Sequence, residues 1–369
     1  MRFEQVIGQE RSKRRLAQMA YEGRTPHALM LLGPTGSGSL ALGLAMAQML
    51  QCLNPAPDDA CGQCPACHKA VKNIHPDIHF SYPTIGAGAV STDFLPAWRE
   101  AVAENPYFDA YSWLQRIGAE NKQGNITREE CGAIVHKLSL QIFEGRYKIL
   151  LLWLPEYLGK EGNRLLKLIE EPPENTVFIL VAEQTDLILP TILSRCQLVK
   201  TDLLDDELIA RALVDREGVD PEQARALAHL ADGDYTRATQ MAGNEIRNDA
   251  ALFLDWLRKC WRGNGVDLVQ SADQISRLGR ENQKQFLLYA LHFLRELLAL
   301  SAAGHTRLRL QPDELTTAGN MSKVLDWRRV DAMSRLLNDK IYHVERNANP
   351  KILFLDAGIR LHGIMVSHG

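Results

Sequence analysis

Four cysteines, Cys52, Cys61, Cys64 and Cys67, fall within sixteen residues in the spacing C-x8-C-x2-C-x2-C. Four thiolates suit a tetrahedral Zn²⁺, and two-residue spacings let sulfurs of one turn face a common ion. Gly62 and Pro65 favour tight turns between ligands. The run C-x2-C-x2-C alone also fits an iron–sulfur cluster. The fourth cysteine at a helix end, and the lack of a redox partner motif, favour structural zinc. Such a site is closed, with no open position for a reacting water, so no metal catalysis is expected. In a reducing compartment this cluster reads as ligands rather than disulfides. His68 and His75 stand nearby as spare ligands and are read as surface histidines. Cys131 and Cys260 read as buried small apolar residues, and Cys196 as a packing residue.

A second chemical signature precedes the cysteines. Gly33-Pro34-Thr35-Gly36-Ser37-Gly38-Ser39-Leu40 fits the glycine frame of a phosphate-binding loop, G-x-x-x-x-G-K-[ST]. The glycines let backbone N–H groups curl around phosphate. The lysine reaches the β/γ-phosphates and the hydroxyl holds Mg²⁺. Here Ser39 stands at the lysine position and Leu40 at the hydroxyl position, so neither group is present. The acidic pair of an active site of this type would end the strand over 147–154, yet those positions hold Trp153 and Leu154, with Glu156 beyond a proline. Two independent lesions predict a chain that does not hydrolyse nucleotide. Gly33, Gly36, Gly38 and Ser39 remain a degenerate cradle able at most to bind an anion weakly.

These residues need a scaffold. Residues 27–32 (HALMLL), 147–154 (YKILLLWL), 176–182 (TVFILVA) and 197–201 (QLVKT) read as strands, three of them continuous apolar runs suited to burial on both faces. Residues 9–22, 41–52 and 128–143 read as helices, as does 159–173, stopped by Pro172 and Pro173. A strand, a glycine-rich loop and a helix in succession open a nucleotide-binding α/β unit. Residues 83–125 are read as a surface insertion. Beyond residue 203 the pattern is helical throughout. The organisation expected is an α/β domain over 1–203, a small helical domain over 204–245 and a larger helical domain over 246–369.

The 369 residues are 46% hydrophobic and 24% charged, which excludes collagen, wholesale disorder and a coiled-coil rod. Forty-two basic against 45 acidic residues give a net charge of −3, unlike a bulk nucleic-acid coat. No run approaches ~18 uncharged apolar residues, and no apolar signal core follows MRFEQVIGQERSKRRL. A cytoplasmic protein without membrane partners is expected. Arg11, Lys13, Arg14 and Arg15 are read as a solvated helix face rather than a DNA contact, since no aromatics interleave with them.

Three segments carry a resemblance. Asn163-Arg164-Leu165-Leu166-Lys167-Leu168-Ile169-Glu170-Glu171-Pro172-Pro173 resembles the NALLKxLEEPP signature of clamp-loader AAA+ subunits. Thr191-Ile192-Leu193-Ser194-Arg195-Cys196 resembles their SRC motif. Phe3-Glu4-Gln5-Val6-Ile7-Gly8-Gln9 resembles the segment that contacts adenine in active members. With the cysteine cluster, the resemblance covers residues 1 to about 245. It implies a P-loop AAA+ core bearing a zinc module, a helical lid and an all-helical C-terminal collar for oligomerisation. Within the bacterial DNA polymerase III loader, the degenerate loop implies a subunit other than the gamma/tau motors. The implied role is a non-hydrolysing stator that helps load the sliding clamp onto primed DNA. Implied partners are the gamma/tau motors and the delta subunit, with the clamp and primer–template DNA reached through the assembly. Arg195 is implied to serve in trans as an arginine finger for ATP bound by a neighbour, a role suited to an always-charged planar guanidinium. No intrinsic catalysis is expected, although the holoenzyme is a DNA polymerase. The rival readings are an active motor ATPase and a zinc-containing DNA-binding scaffold.

Overall fold

The computed structural model describes residues 1–119, 123–243, 249–303, 308–310, 312–346 and 348–366. The chain divides into two compact units, Met1–Ala242 and Gly243–Gly369.

In the first unit five parallel strands, β1 (Ala28–Leu32), β2 (Ile78–Ser81), β3 (Lys148–Trp153), β4 (Thr176–Ala182) and β5 (Gln197–Lys200), stand in the order β2-β3-β4-β1-β5. Leu31 lies opposite Val181 on one side and Val199 on the other, and Trp153 also faces Val181. The carboxyl ends of β1, β3 and β4 therefore stand side by side, where open parallel sheets place their ligand crevices. The helices interleaved with the strands are α1 (Glu10–Tyr21), α2 (Ser39–Gln51), α3 (Pro65–Val71), α4 (Leu95–Glu104), α5 (Ala110–Arg116), α6 (Arg128–Ser139), α7 (Leu166–Glu170) and α8 (Pro190–Leu193). Three more, α9 (Asp206–Glu217), α10 (Pro221–Ala231) and α11 (Tyr235–Ala242), follow β5.

Every residue of α2 is buried, as expected of a helix apolar on all sides. Gly43 allows it close to the sheet: a methyl group there would lie 3.1 Å from Val181 and 3.4 Å from Leu151. On α1, Lys13 pairs with Glu10 at 2.9 Å, while Arg11, Arg14 and Arg15 are exposed.

The structure departs from the sequence reading in three places. Strand β2 was not anticipated, because four residues with a central His79 carry little apolar signal. Residues 159–173 are not one helix. A 3-10 segment, Pro155–Leu165, is broken at Gly159 (φ 49°, ψ −133°), and only Leu166–Glu170 is α-helical. Residues 83–125, read as a surface insertion and including 120–122 outside the described residues, bury two tryptophans. Trp98 and Trp113 are completely buried, Trp98 stacking on Tyr82 at 4.2 Å and meeting Trp113 edge-on at 5.4 Å. Trp113 Nε1 donates to the Pro83 carbonyl at 2.7 Å, which answers the ring's one polar atom.

The second unit is helical among its described residues: α12 (Asp249–Arg262), α13 (Gly265–Ser276), α14 (Arg280–Ala303), α15 (Pro312–Met321), α16 (Trp327–Glu345) and α17 (Pro350–Val366). Phe253, Trp256, Phe286, Phe293 and Phe354 fill its core. Lys340 on α16 and Asp356 on α17 form an ion pair at 2.6 Å. The expected boundary at 245/246 falls outside the described residues. No described helix is long and apolar enough to cross a membrane.

Candidate functional site

The glycine loop lies between β1 and α2, as its spacing predicts. Gly36 (φ 71°) and Gly38 (φ 94°) adopt left-handed conformations open to glycine at little cost. Ser39, in the lysine position, is turned inward. Its Oγ lies 2.7 Å from Thr201 Oγ1, and Ser37 Oγ is 3.0 Å from that same hydroxyl. Three hydroxyls thus satisfy one another at the end of β5, where an active loop would present its cation. Leu40 is buried.

Side chains crowd the glycine loop. Pro106, Tyr107, Phe108 and Trp153 face the glycine loop across a void of about 20 Å³, close to the room of a single water. Phe108 meets Trp153 edge-on at 5.0 Å. Tyr107 is the centre of the plug. Its hydroxyl accepts the Ile7 N–H at 2.7 Å, its ring packs edge-on against Tyr235 at 5.0 Å, and Arg216 lies 5.9 Å above it. Thr236 donates to the Tyr107 carbonyl. A side chain at Gly38 would strike the Tyr107 ring at 2.9 Å. Gln9, from the segment resembling an adenine-contacting one, donates to the carbonyls of Ser37 (3.0 Å) and Asp202 (2.6 Å).

Carboxylates border the loop. Asp234 sits where a side chain at Gly36 would project, and its Oδ1 accepts the Arg237 N–H at 3.0 Å. Burial pushes its pKa up to about 7. Burial, with the Glu156 charge added, pushes Glu183 to about 8 despite a hydrogen bond with Thr35. Glu156 Oε1 accepts the N–H groups of Glu183 (2.6 Å) and Gln184 (2.8 Å), tying the end of β3 to the end of β4. Burial raises its pKa as well. Leu154, one of the two positions expected to be acidic, is left-handed (φ 57°) and buried.

The Sγ atoms of Cys52, Cys61, Cys64 and Cys67 all lie within 4.8 Å of one another, the one such group among the described residues. Cys61 Sγ and Cys67 Sγ are 3.9 Å apart. With zinc–sulfur bonds of ~2.3 Å, tetrahedral geometry requires a sulfur–sulfur edge of ~3.8 Å, so the thiols fit such an ion. Cys61 N–H points at Cys52 Sγ (3.2 Å), Cys64 N–H at Cys61 Sγ (3.4 Å) and Cys67 N–H at Cys64 Sγ (3.4 Å). Backbone donors aimed at sulfur favour the thiolate, the form a metal binds. Cys52 ends α2, and Cys64 caps α3. Asp59 links this module to the N-terminal segment, accepting the N–H groups of Phe3 (3.0 Å) and Glu4 (2.9 Å). His68 is exposed. His75 is buried, contrary to the sequence reading; its Nδ1 accepts the Asp77 N–H at 3.2 Å, and burial lowers its pKa. Cys131 and Cys260 are buried, and Cys196 packs on the core below β4.

Arg195 follows α8, away from the glycine loop of its own chain. Its Nη1 donates to the Thr191 carbonyl (2.7 Å) and Ser194 Oγ (3.2 Å), and its Nη2 pairs with Glu170.

The family described as "DNA polymerase III, delta subunit" matches residues 8–204, more than half of the chain. The chain belongs to this family. It is 28% identical over 248 residues to the DNA polymerase III subunit delta' of Pseudomonas aeruginosa, covering 66% of this chain and 64% of that protein. It is 22% identical over 384 residues to subunit tau of Bacillus subtilis, covering 98% of this chain and 61% of that protein. The chain therefore spans less than two thirds of the length of both relatives. A DNA polymerase III gamma subunit-related protein of Thermotoga maritima aligns over 94% of this chain and 99% of its own, at 12% identity and a TM-score of 0.41. The DNA polymerase III subunit delta' of Haemophilus influenzae is similar too, at 27% identity over 56% of this chain and 52% of that protein.

Sequence reasoning missed Thr201, Tyr107, Asp234 and Glu183. The aromatic density of 94–113 was the available signal for the plug. Nothing local marked Asp234 as a neighbour of Gly36, because that contact spans nearly two hundred residues.

Proposed function

We propose that the chain is a non-hydrolysing stator of the DNA polymerase III clamp loader. It helps place the sliding clamp on primed DNA and supplies Arg195 to ATP held by a neighbouring motor subunit. The observation that carries this reading is the self-filled phosphate-loop pocket, with Ser39 turned onto Thr201 and Trp153 and Leu154 at the acidic positions. A site without cation, metal ligand or space has no means of positioning Mg-ATP. The reading includes AAA+ organisation with a core over 1–203, a lid over 204–245 and a collar over 246–369. Its partners are the gamma/tau motors and the delta subunit, and its location is the cytoplasm. Cys52, Cys61, Cys64 and Cys67 would hold a structural Zn²⁺, which supplies a cross-link between α2 and α3 and no reacting water.

The test is ATPase activity of the reconstituted loader with clamp and primed DNA, comparing wild type with Arg195→Ala, and with the isolated chain as control. The isolated chain should be inactive. Arg195→Ala should lower turnover at the site it serves by about 10³-fold or more. Hydrolysis by the isolated chain would refute the stator reading, and equal rates for both assemblies would refute the finger.

A further inference from the structure

Two of the three segments that carry the family resemblance meet in space. Pro172 and Pro173 end α7, leaving Glu170 as its last residue. Helix α8 packs beside α7, and Arg195 emerges one residue past its C-terminal cap. There the guanidinium has three partners from its own chain. Two neutral oxygens, the Thr191 carbonyl and Ser194 Oγ, hold Nη1, while the Glu170 carboxylate neutralises Nη2. The pair is partly open to solvent: the Arg195 side chain is 33% exposed and that of Glu170 42%.

We infer that Glu170 is a positioning residue that restrains Arg195 in the unengaged chain and yields it to nucleotide phosphate at a subunit interface. The inference rests on the finger reading given above. A neutralised arginine attracts phosphate poorly, so Arg195 must exchange Glu170 for phosphate oxygens before it can act. The exchange is favourable because a polyphosphate carries more charge than one carboxylate and matches the guanidinium fork bidentately. The Thr191 and Ser194 contacts can persist through the exchange, since neutral acceptors do not compete for the charge. Glu170 thereby sets how much phosphate charge is needed to draw the finger out.

Glu170→Gln removes the competing charge and keeps the shape. In the reconstituted loader it should lower the KM for ATP by about two- to fivefold, the range that a partly exposed ion pair supports, with kcat changed by less than about twofold. The KM difference should shrink as salt rises from about 0.05 to 0.5 M, and should vanish in an Arg195→Ala background. A merely structural glutamate would move neither KM nor its salt dependence. An unchanged KM, or a fall in kcat like that of Arg195→Ala, overturns the inference while leaving the finger intact. If Arg195→Ala itself leaves the rate unchanged, the finger reading fails and takes this one with it.

Discussion

The two chemical signatures lie at opposite ends of one buried helix. At the N-terminus of α2 the glycine loop keeps its backbone form while its pocket is occupied by side chains; at the C-terminus four thiols keep both residue types and mutual geometry. The difference shows what each kind of site demands. A phosphate loop needs a lysine, a hydroxyl, an acidic pair and empty space, and the loss of any one disables it. A closed metal site needs four sulfurs at tetrahedral distance, which backbone turns alone can supply. One helix thus carries a crowded glycine loop at one end and four thiols at metal-binding distances at the other.

The sharpest way to break this comparison is at the cysteines. Stripping metal with a strong chelator, or replacing Cys67 with Ser, should destabilise the first unit by more than about 4 kcal/mol, on the order of 10 °C in Tm. Zinc released per chain should be measured alongside. A protein that melts unchanged and releases no zinc would put the two ends of α2 on the same footing. Tyr107→Ala comes next. Deleting the plug's ring should cost about 3–5 kcal/mol, the usual range for a buried aromatic, and thermal melts should recover in part with p-cresol, which refills the space. Full stability of the variant would mean that the pocket is not held shut by Tyr107.

The pH response should be smaller. Glu183 and Asp234 have folded-state pKa values raised to about 8 and about 7, above the ordinary carboxylate range. Between the unfolded and folded values the native protein binds more protons, so stability falls as pH rises from about 4 to about 8. The Glu183→Gln, Asp234→Asn double variant should flatten that slope, with a Tm higher than wild type at pH 8. A parallel decline in both proteins would show that these acids do not carry it. The least effect is expected at Asp59, whose carboxylate ties the cysteine module to the N-terminal segment. Asp59→Ala should cost about 1–2 kcal/mol and increase amide exchange at Phe3 and Glu4 without releasing zinc. Coupled loss of zinc would show the tether to be part of the metal site.

Much of this arrangement is legible in the sequence because buried parallel strands are continuous apolar runs. Thr176–Ala182 is a strand over the residues expected, and β1, β3 and β5 differ from expectation by one or two residues at their ends. The cysteine spacing likewise brings its residues together, since the contacts are local. What is hidden depends on distance along the chain. The plug joins residues 7, 107, 153 and 235, and no periodicity reports such meetings. Aromatics in 83–125 read as surface because the segment has no clear helix or strand periodicity and its packing partners lie far along the chain. The break at Gly159 escaped for another reason: the apolar spacing of 159–173 is helical, and a left-handed glycine is visible only in the backbone.

The hydroxyl triangle of Ser37, Ser39 and Thr201 bears on whether the lysine of the motif could be put back. A lysine restored at position 39 would bring an ammonium among three mutually satisfied hydroxyls, and its outward path would meet Tyr107 and Trp153. Regaining the letters of the motif is one step; regaining the vacancy requires moving residues from four separate stretches of chain. The pocket is thus closed by neighbours that are themselves part of the core.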